Sequence, residues 1–298
     1  MTLDALRCFC AVIDARSFRA AADRVFRSQP AVSQQVRGLE KELGHTFVDR
    51  KTCAPTPAGR LLYARAQPVL NQSGDIVREL ADFDESRDHE LRIGASDTTA
   101  LYFLPGHIKA FARRMPETRV VVTSRSSGEI AAEVRHGRLE LAIVTLPVEE
   151  AELEVRELFA QQMVLVVRKG HSVAGLRRVR LERLANESFV MLQSSTRTGA
   201  QLQQFFASRQ FIPRTAVDSG SFEVIKRYVA EGVGLAFLPE MVVTQRDRSQ
   251  LAAIRIEGLP TVRIGAVWRR GAYQSRAAKA FLDLLAPSPA KPRSRKSV

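Results

Sequence analysis

Five side chains at helical spacing carry the chemistry that stands out first. Pro30, Ser33, Gln34, Arg37 and Lys41 fall on one side of a predicted helix. Val32, Val36, Leu39 and Leu43 lie within about 40° of one another on the other side. The amide of Gln34 matches the donor and acceptor of an adenine edge, and the guanidinium of Arg37 matches guanine or a phosphate. Ser28, Gln29 and Pro30 open the helix: Ser28 suits the cap, and proline is tolerated in a first turn whose amide protons lack helical partners. Arg50 and Lys51 add cations suited to a flanking minor groove or backbone. A polar face is also what any surface helix shows to water, so the surrounding elements must decide.

A second group sits farther along. Ser96, Asp97, Thr98 and Thr99 follow a predicted strand, and a helix after them would aim amide protons at an anion. The same hydroxyls suit plain loop capping equally well. Asp97 would repel an anion yet accept a hydrogen bond from a hydroxyl or amine. Catalytic chemistry finds no such support. His45, His89, His107, His136 and His171 are scattered, and neither a Gly-x-Ser-x-Gly elbow nor a Walker loop occurs. Cys8 and Cys10 fall on a predicted helix without zinc-finger partners, so packing is their expected role. Three cysteines leave no even disulfide framework and fit a reducing compartment. No enzyme activity, metal or cofactor is expected.

The elements that must position these groups follow from periodicity. Leu3, Leu6, Phe9 and Ile13 give a first amphipathic helix. Ser17 can cap a second, whose Ala21 and Ala22 permit close approach of a neighbour. With the helix from Ser28, ended by Gly44, this is a helix-turn-helix arrangement. His45 to Thr56 suits a small two-stranded wing. From Pro57 to about Phe83 a long helix carries Leu62, Ala66, Val69, Ser73, Ile76, Leu80 and Phe83 in steps of four and three. That seam either pairs with a second copy or packs on the chain's own domain. Pro68 is expected to kink it.

Beyond Glu90 short apolar runs alternate with helical patterns, which implies parallel sheets flanked by helices in two lobes with a cleft between them. Strands are expected at Leu91–Ala95, Val120–Val122, Leu141–Val144, Met163–Val167, Phe189–Leu192, Leu235–Leu238, near Ile254 and at Val262–Trp268. Helices are expected around Leu101–Met115, Ile130, Gly199–Arg209, Phe222–Ala230 and Ser275–Leu285. The expected domains are a winged helix-turn-helix over 1–58, a linker helix over 59–88 and an α/β domain over 89–286. Its first lobe takes about 89–160 and 266–286, its second about 161–265. Residues 287–298, with three prolines, four basic residues and no acid, are expected to be disordered.

Composition sets the bounds. The formal net charge is +13 and the pI about 10.4, which favours a polyanionic partner such as DNA, RNA or anionic lipid without choosing among them. No apolar run is long enough for a membrane span, and the N-terminus lacks a signal-peptide pattern, so a cytoplasmic protein is expected. A solute-binding transport component would need such a signal. A nucleoid packager would leave the long α/β portion unexplained.

At this point the residues resemble a family. Phe9, Ser17-Phe18-Arg19-Ala20-Ala21-Ala22, Ser28-Gln29-Pro30-Ala31-Val32-Ser33, Leu39-Glu40, Leu43-Gly44, Phe47, Arg50, Thr56 and Ala58-Gly59 are similar to LysR-type transcriptional regulators. Leu91-Arg92-Ile93-Gly94, Leu104-Pro105, Leu139–Ile143 and Val229–Pro239 extend the likeness over nearly the whole chain. The resemblance implies a winged helix-turn-helix, a dimerising linker helix and a two-lobed effector domain similar to periplasmic binding proteins. It also implies double-stranded promoter DNA, homodimers or homotetramers, a small-molecule effector and RNA polymerase as partners. In the effector cleft it adds Ser126, Ser127, Thr145 and Thr196 to the group at 96–99. Departures are Pro68 within the linker and Glu140 where aspartate is common.

Overall fold

A computed structural model of the chain describes residues 1–83, 89–176 and 179–285; the tail expected at 287–298 lies outside them. The chain divides into two compact units, Met1–Glu85 and Ser86–Val298.

The first unit begins with α1 (Leu3–Ala15), α2 (Phe18–Arg24) and α3 (Gln29–Leu43). The caps anticipated from sequence form: the Ser17 hydroxyl accepts from Ala20 N at 3.2 Å and the Ser28 hydroxyl from Ala31 N at 3.3 Å. Gly44, at φ +70°, supplies the left-handed turn that ends α3. Phe9, Val12, Ala21, Ala22, Val32, Val36 and Leu39 form the buried core. Leu43, expected on the dry stripe, is 38% exposed. The periodicity runs to the helix end, but the cover over it does not.

The wing is shorter than expected. It reduces to a bridge between Val48 and Pro55, flanked by bonds from Asp49 N to Ala54 O and Thr56 N to Phe47 O. Pro55 has no amide proton to lengthen the ladder. α4 (Pro57–Phe83) follows, its start fixed by Thr56, whose hydroxyl accepts from Gly59 N at 3.0 Å and donates to Thr46 O at 2.6 Å. Gly59 is required there because a Cβ would lie 2.0 Å from Phe47 O. The helix continues through Pro68. Its seam divides: Leu62 and Ala66 pack on the unit's own core, whereas Val69, Ile76, Leu80 and Phe83 are exposed.

The second unit contains, in order, β1 (His89–Ala95), α5 (Asp97–Tyr102), α6 (Leu104–Arg114), β2 (Thr118–Ser124), α7 (Ser127–Arg135), β3 (Leu141–Thr145) and β4 (Leu153–Arg168). Then come β5 (Ser188–Leu192), α8 (Arg197–Ser208), β6 (Arg214–Ser219), α9 (Phe222–Ala230), β7 (Ala236–Pro239), β8 (Leu251–Ile254), β9 (Thr261–Arg269) and α10 (Arg276–Leu285). The single helix anticipated over 101–115 is two, because Pro105 sits where a first helical turn tolerates it.

β1 lies between β2 and β3 and pairs parallel with both, as βαβ logic requires; β9 then pairs antiparallel with β3 and with the first part of β4. The rest of β4 pairs antiparallel with β7 and β8. β5 and β6 are parallel, and a parallel bridge between Phe189 and Leu235 sets β5 beside β7. Two lobes therefore share one long strand. The sheets are mixed where parallel ones were anticipated, since β4 and β9 return between the lobes as extended chain. β9 belongs to the first sheet from Thr261 onward, five residues before the lobe boundary read from sequence. β6 and the first half of β4 were not anticipated.

Candidate nucleic-acid interface and ligand cleft

On α3 the dry and wet faces separate as the wheel requires. Val32, Val36 and Leu39 are buried, while Gln29, Pro30, Gln34, Arg37 and Lys41 are exposed and Ser33 is half-buried. Ser28 is exposed, with its hydroxyl committed to the cap. Among the described residues of the first unit, Gln34 and Arg37 are left exposed.

Sequence reasoning passed over the residue that organises this surface. Glu40, on α3, accepts from Phe47 N at 2.9 Å and Val48 N at 3.2 Å through one carboxylate oxygen, and pairs with Arg50 at 2.5 Å through the other. The Arg50 guanidinium also lies 5.1 Å from the centroid of the Phe18 ring. Arg50, expected with Lys51 as a cation suited to flanking DNA, thus also ties the wing to α2 and α3. Its partners are ten and thirty-two residues away in sequence, so no local pattern reveals them. Lys51 remains exposed at the turn. There Asp49 accepts from Lys51 N and Thr52 N, and these bonds, that from Thr52 foremost, hold its carboxyl below the usual range.

In the second unit the parallel strands β1, β2 and β3 end at one edge, where ligand sites in such sheets lie. That edge gathers Ser96, Asp97, Thr98, Thr99, Ser126, Ser127 and Thr145. Many of their polar groups already have local partners. Ser96 and Thr99 hydroxyls are 2.9 Å apart and Thr99 is buried; Ser124 donates to Asp97. Ser126 and Glu129 form a capping box on α7, which holds the Glu129 carboxyl below its usual range, first through the Ser126 hydroxyl. The buried Ser127 hydroxyl accepts from Thr145 N at 3.3 Å. Thr98 is half-buried.

Across from them, Thr196 caps α8, accepting from Gly199 N at 3.0 Å and donating to Gln193 O at 2.8 Å. The two lobes touch at a residue not anticipated: Gln201 of α8 donates to Leu146 O, one residue past Thr145, at 3.2 Å. α5 begins at Asp97 and is six residues long, so Asp97, Thr98 and Thr99 form its first turn, where a loop before a helix was expected.

Comparison with known proteins places this architecture. Residues 3–60 match bacterial regulatory helix-turn-helix proteins of the lysR family, and residues 84–289 match the LysR substrate binding domain. A RuBisCO operon transcriptional regulator of Allochromatium vinosum is 30% identical over 295 residues, covering 96% of this chain and 95% of that protein. A full-length OxyR variant from Pseudomonas aeruginosa aligns with a TM-score of 0.72 at 25% identity, covering 96% of this chain and 94% of that one. The regulatory domain of Synechocystis CcmR, solved in complex with 2-PG, aligns at 0.61 with 26% identity, covering 66% of this chain and 95% of that one. With an exposed polar face on α3 and a two-lobed α/β unit later in the sequence, the chain belongs to the LysR family of DNA-binding bacterial transcriptional regulators.

Proposed function

We propose that this regulator reads promoter DNA with the first turns of α3 and is switched by a small anion between the lobes of its second unit. The observation carrying the first half is the exposure of Gln34 and Arg37 above a stripe of fully buried valines. In this reading Gln29, Pro30, Ser33, Gln34 and Arg37 meet the major groove, Ser28 orients the helix, and Lys51 meets the flanking backbone. Arg50 acts as a positioning residue through Glu40. Residues 1–58 form the reading head and 59–88 the linker. The exposed stripe on α4 supports a homodimer, with tetramers as the family's usual assembly. The chain works in the cytoplasm, beside RNA polymerase, and does no catalysis of its own.

The effector half rests on the hydroxyl-lined edge of β1–β3 facing Thr196, and on the 2-PG bound by the related CcmR domain. Ser96, Asp97, Thr98, Thr99, Ser126, Ser127, Thr145 and Thr196 are its candidate residues. Thr98 is the first to test, since its side chain is neither buried like Thr99 nor spent on a cap like Thr196.

Selecting genomic fragments on the immobilised full chain, then footprinting the winners, tests the first half. Protection of discrete sites supports it; even coating of all fragments overturns it. Titration calorimetry with 2-PG, on the parent chain and on Thr98→Ala, tests the second. Equal affinities remove Thr98 from the site, and no heat with 2-PG excludes that anion.

A further inference from the structure

The positive charge of this chain is not where its reading head is. Residues 1–85 hold 12 Lys and Arg against 11 Asp and Glu, whereas residues 86–298 hold 33 against 21. The helix-turn-helix unit is close to neutral, and nearly all of the +13 belongs to the other unit.

Strand register shows where much of it gathers. In the second lobe β4 ends where β8 begins, with Arg168 opposite Leu251, and where β7 begins, with Val166 opposite Ala236. β5 and β6 begin at that same end, with Ser188 opposite Arg214 and the Phe189–Leu235 bridge beside β7. The loops there are tied together: Lys169 N donates to Gln250 O at 2.7 Å, and His171 lies 3.6 Å from Glu187. This pole carries Arg168, Lys169, Arg180, Arg183, Arg214 and Arg248, all exposed. Its acids are fewer: Glu182 is exposed between Arg180 and Arg183, Glu187 faces His171, and Glu231 pairs with Arg227. The cleft residue Thr196 follows the opposite end of β5, so the pole and the cleft are at opposite ends of the lobe.

We propose that this arginine-rich pole is a second, sequence-independent docking surface for the phosphate backbone of duplex DNA. Five of its six cations are guanidinium forks, which match phosphate oxygens two at a time. A first unit of near-zero net charge, reading head and linker together, offers little long-range attraction, so the pole supplies most of the electrostatic part of binding. Once α3 holds its site, the tethered pole meets nearby phosphates at high effective concentration. This rests on the regulator reading above and adds to it a separate surface with a separate readout.

The test uses the full-length protein and a random-sequence duplex, titrated against KCl by fluorescence anisotropy. Reversing Lys169, Arg183 and Arg248 to Glu should lower the slope of log affinity against log salt by about 2–3, at ~0.9 for each phosphate no longer neutralised. The matched control reverses Lys109, Arg113 and Arg114, exposed on α6 of the first lobe, and changes net charge equally. It should leave most of the slope in place. Equal effects from both triples would mean net charge alone, and no change from the pole triple would mean another partner; either overturns the proposal. Retained footprints on selected fragments, with an unchanged slope, would reject the pole while leaving the reading head intact. Circular dichroism and thermal unfolding check that both triples fold.

Discussion

At the scale of single residues, the surface proposed to read DNA is built from groups the fold does not need. Arg37 is exposed, so removing its side chain costs the fold little. Arg37→Ala should weaken binding to a selected fragment by about 1–3 kcal/mol if its fork meets a base, with thermal unfolding unchanged. Anisotropy on that fragment checks it, and parent-like affinity would take Arg37 out of the interface. The opposite case is Lys226, a buried ammonium on α9. It donates to Val242 O at 2.9 Å and Asp247 at 3.0 Å, pairs with Glu223 at 2.8 Å, and lies 5.2 Å from the Tyr102 ring centroid. Partial burial pulls the Asp247 carboxyl up, but hydrogen bonds from Thr244 and Lys226, with the Lys226 charge, together hold it below the usual range. A depressed carboxyl stabilises the fold above its unfolded pKa and loses that contribution as pH falls through the lowered folded value. Asp247→Asn should therefore lower stability at neutral pH by about 1–2 kcal/mol, the loss of a charged hydrogen bond while Glu223 and Val242 O still hold the ammonium. The gap from the parent should narrow below about pH 4. Thermal unfolding across pH reads both, and a gap independent of pH would contradict the assignment.

At the scale of elements, two joints matter. The wing has a single bridge of its own, so its position depends on Glu40, which takes two wing amides and Arg50 at once. Glu40→Ala would leave the Phe47 and Val48 amides without that partner, a cost of about 1–3 kcal/mol. Hydrogen exchange at those two amides should accelerate far more than in the core of α1, and equal protection would show that the carboxylate is dispensable. The second joint is α4. Val69, Ile76, Leu80 and Phe83 continue a heptad rhythm on an uncovered face, and such a stripe is expected to find a copy of itself. Ile76→Lys with Leu80→Lys should shift the full chain to monomer in sedimentation velocity. Retention of the parent assembly would place the association elsewhere.

At the scale of the whole molecule, the second unit works as two lobes joined by β4 and β9, with Gln201 donating across to Leu146 O. A net hydrogen bond of this kind contributes about 0.5–1.5 kcal/mol, small enough for a ligand to make or break. Gln201→Ala should weaken effector binding several-fold without unfolding either lobe, because the variant loses a hydrogen bond that ties the two lobes together. Calorimetry of the variant, with whichever anion the parent chain is found to bind, reads this; unchanged affinity would mean that the bond contributes nothing to the bound state. The distribution of charge is also a whole-molecule property, since the near-neutral first unit and the basic second unit carry very different net charges.

Much of this was legible from sequence. Ser17, Ser28 and Gly44 mark helix ends by local chemistry, and the Val32–Val36–Leu39 stripe marks a face by period alone, since both depend on neighbours a turn away. The leading half of β4 and all of β6 escaped, because Leu153–Gln162 is rich in charged and amide side chains and Arg214–Ser219 is a polar edge strand with no apolar run to reveal it. Local periodicity could settle which segments become helices and which face each buries. Only the tertiary structure decided that Arg50 serves Glu40, that β9 joins the first lobe's sheet, and that arginines from four separate segments meet at one pole. Each of those facts is a distance between residues far apart in the chain, and through-space distance is set by how the elements pack.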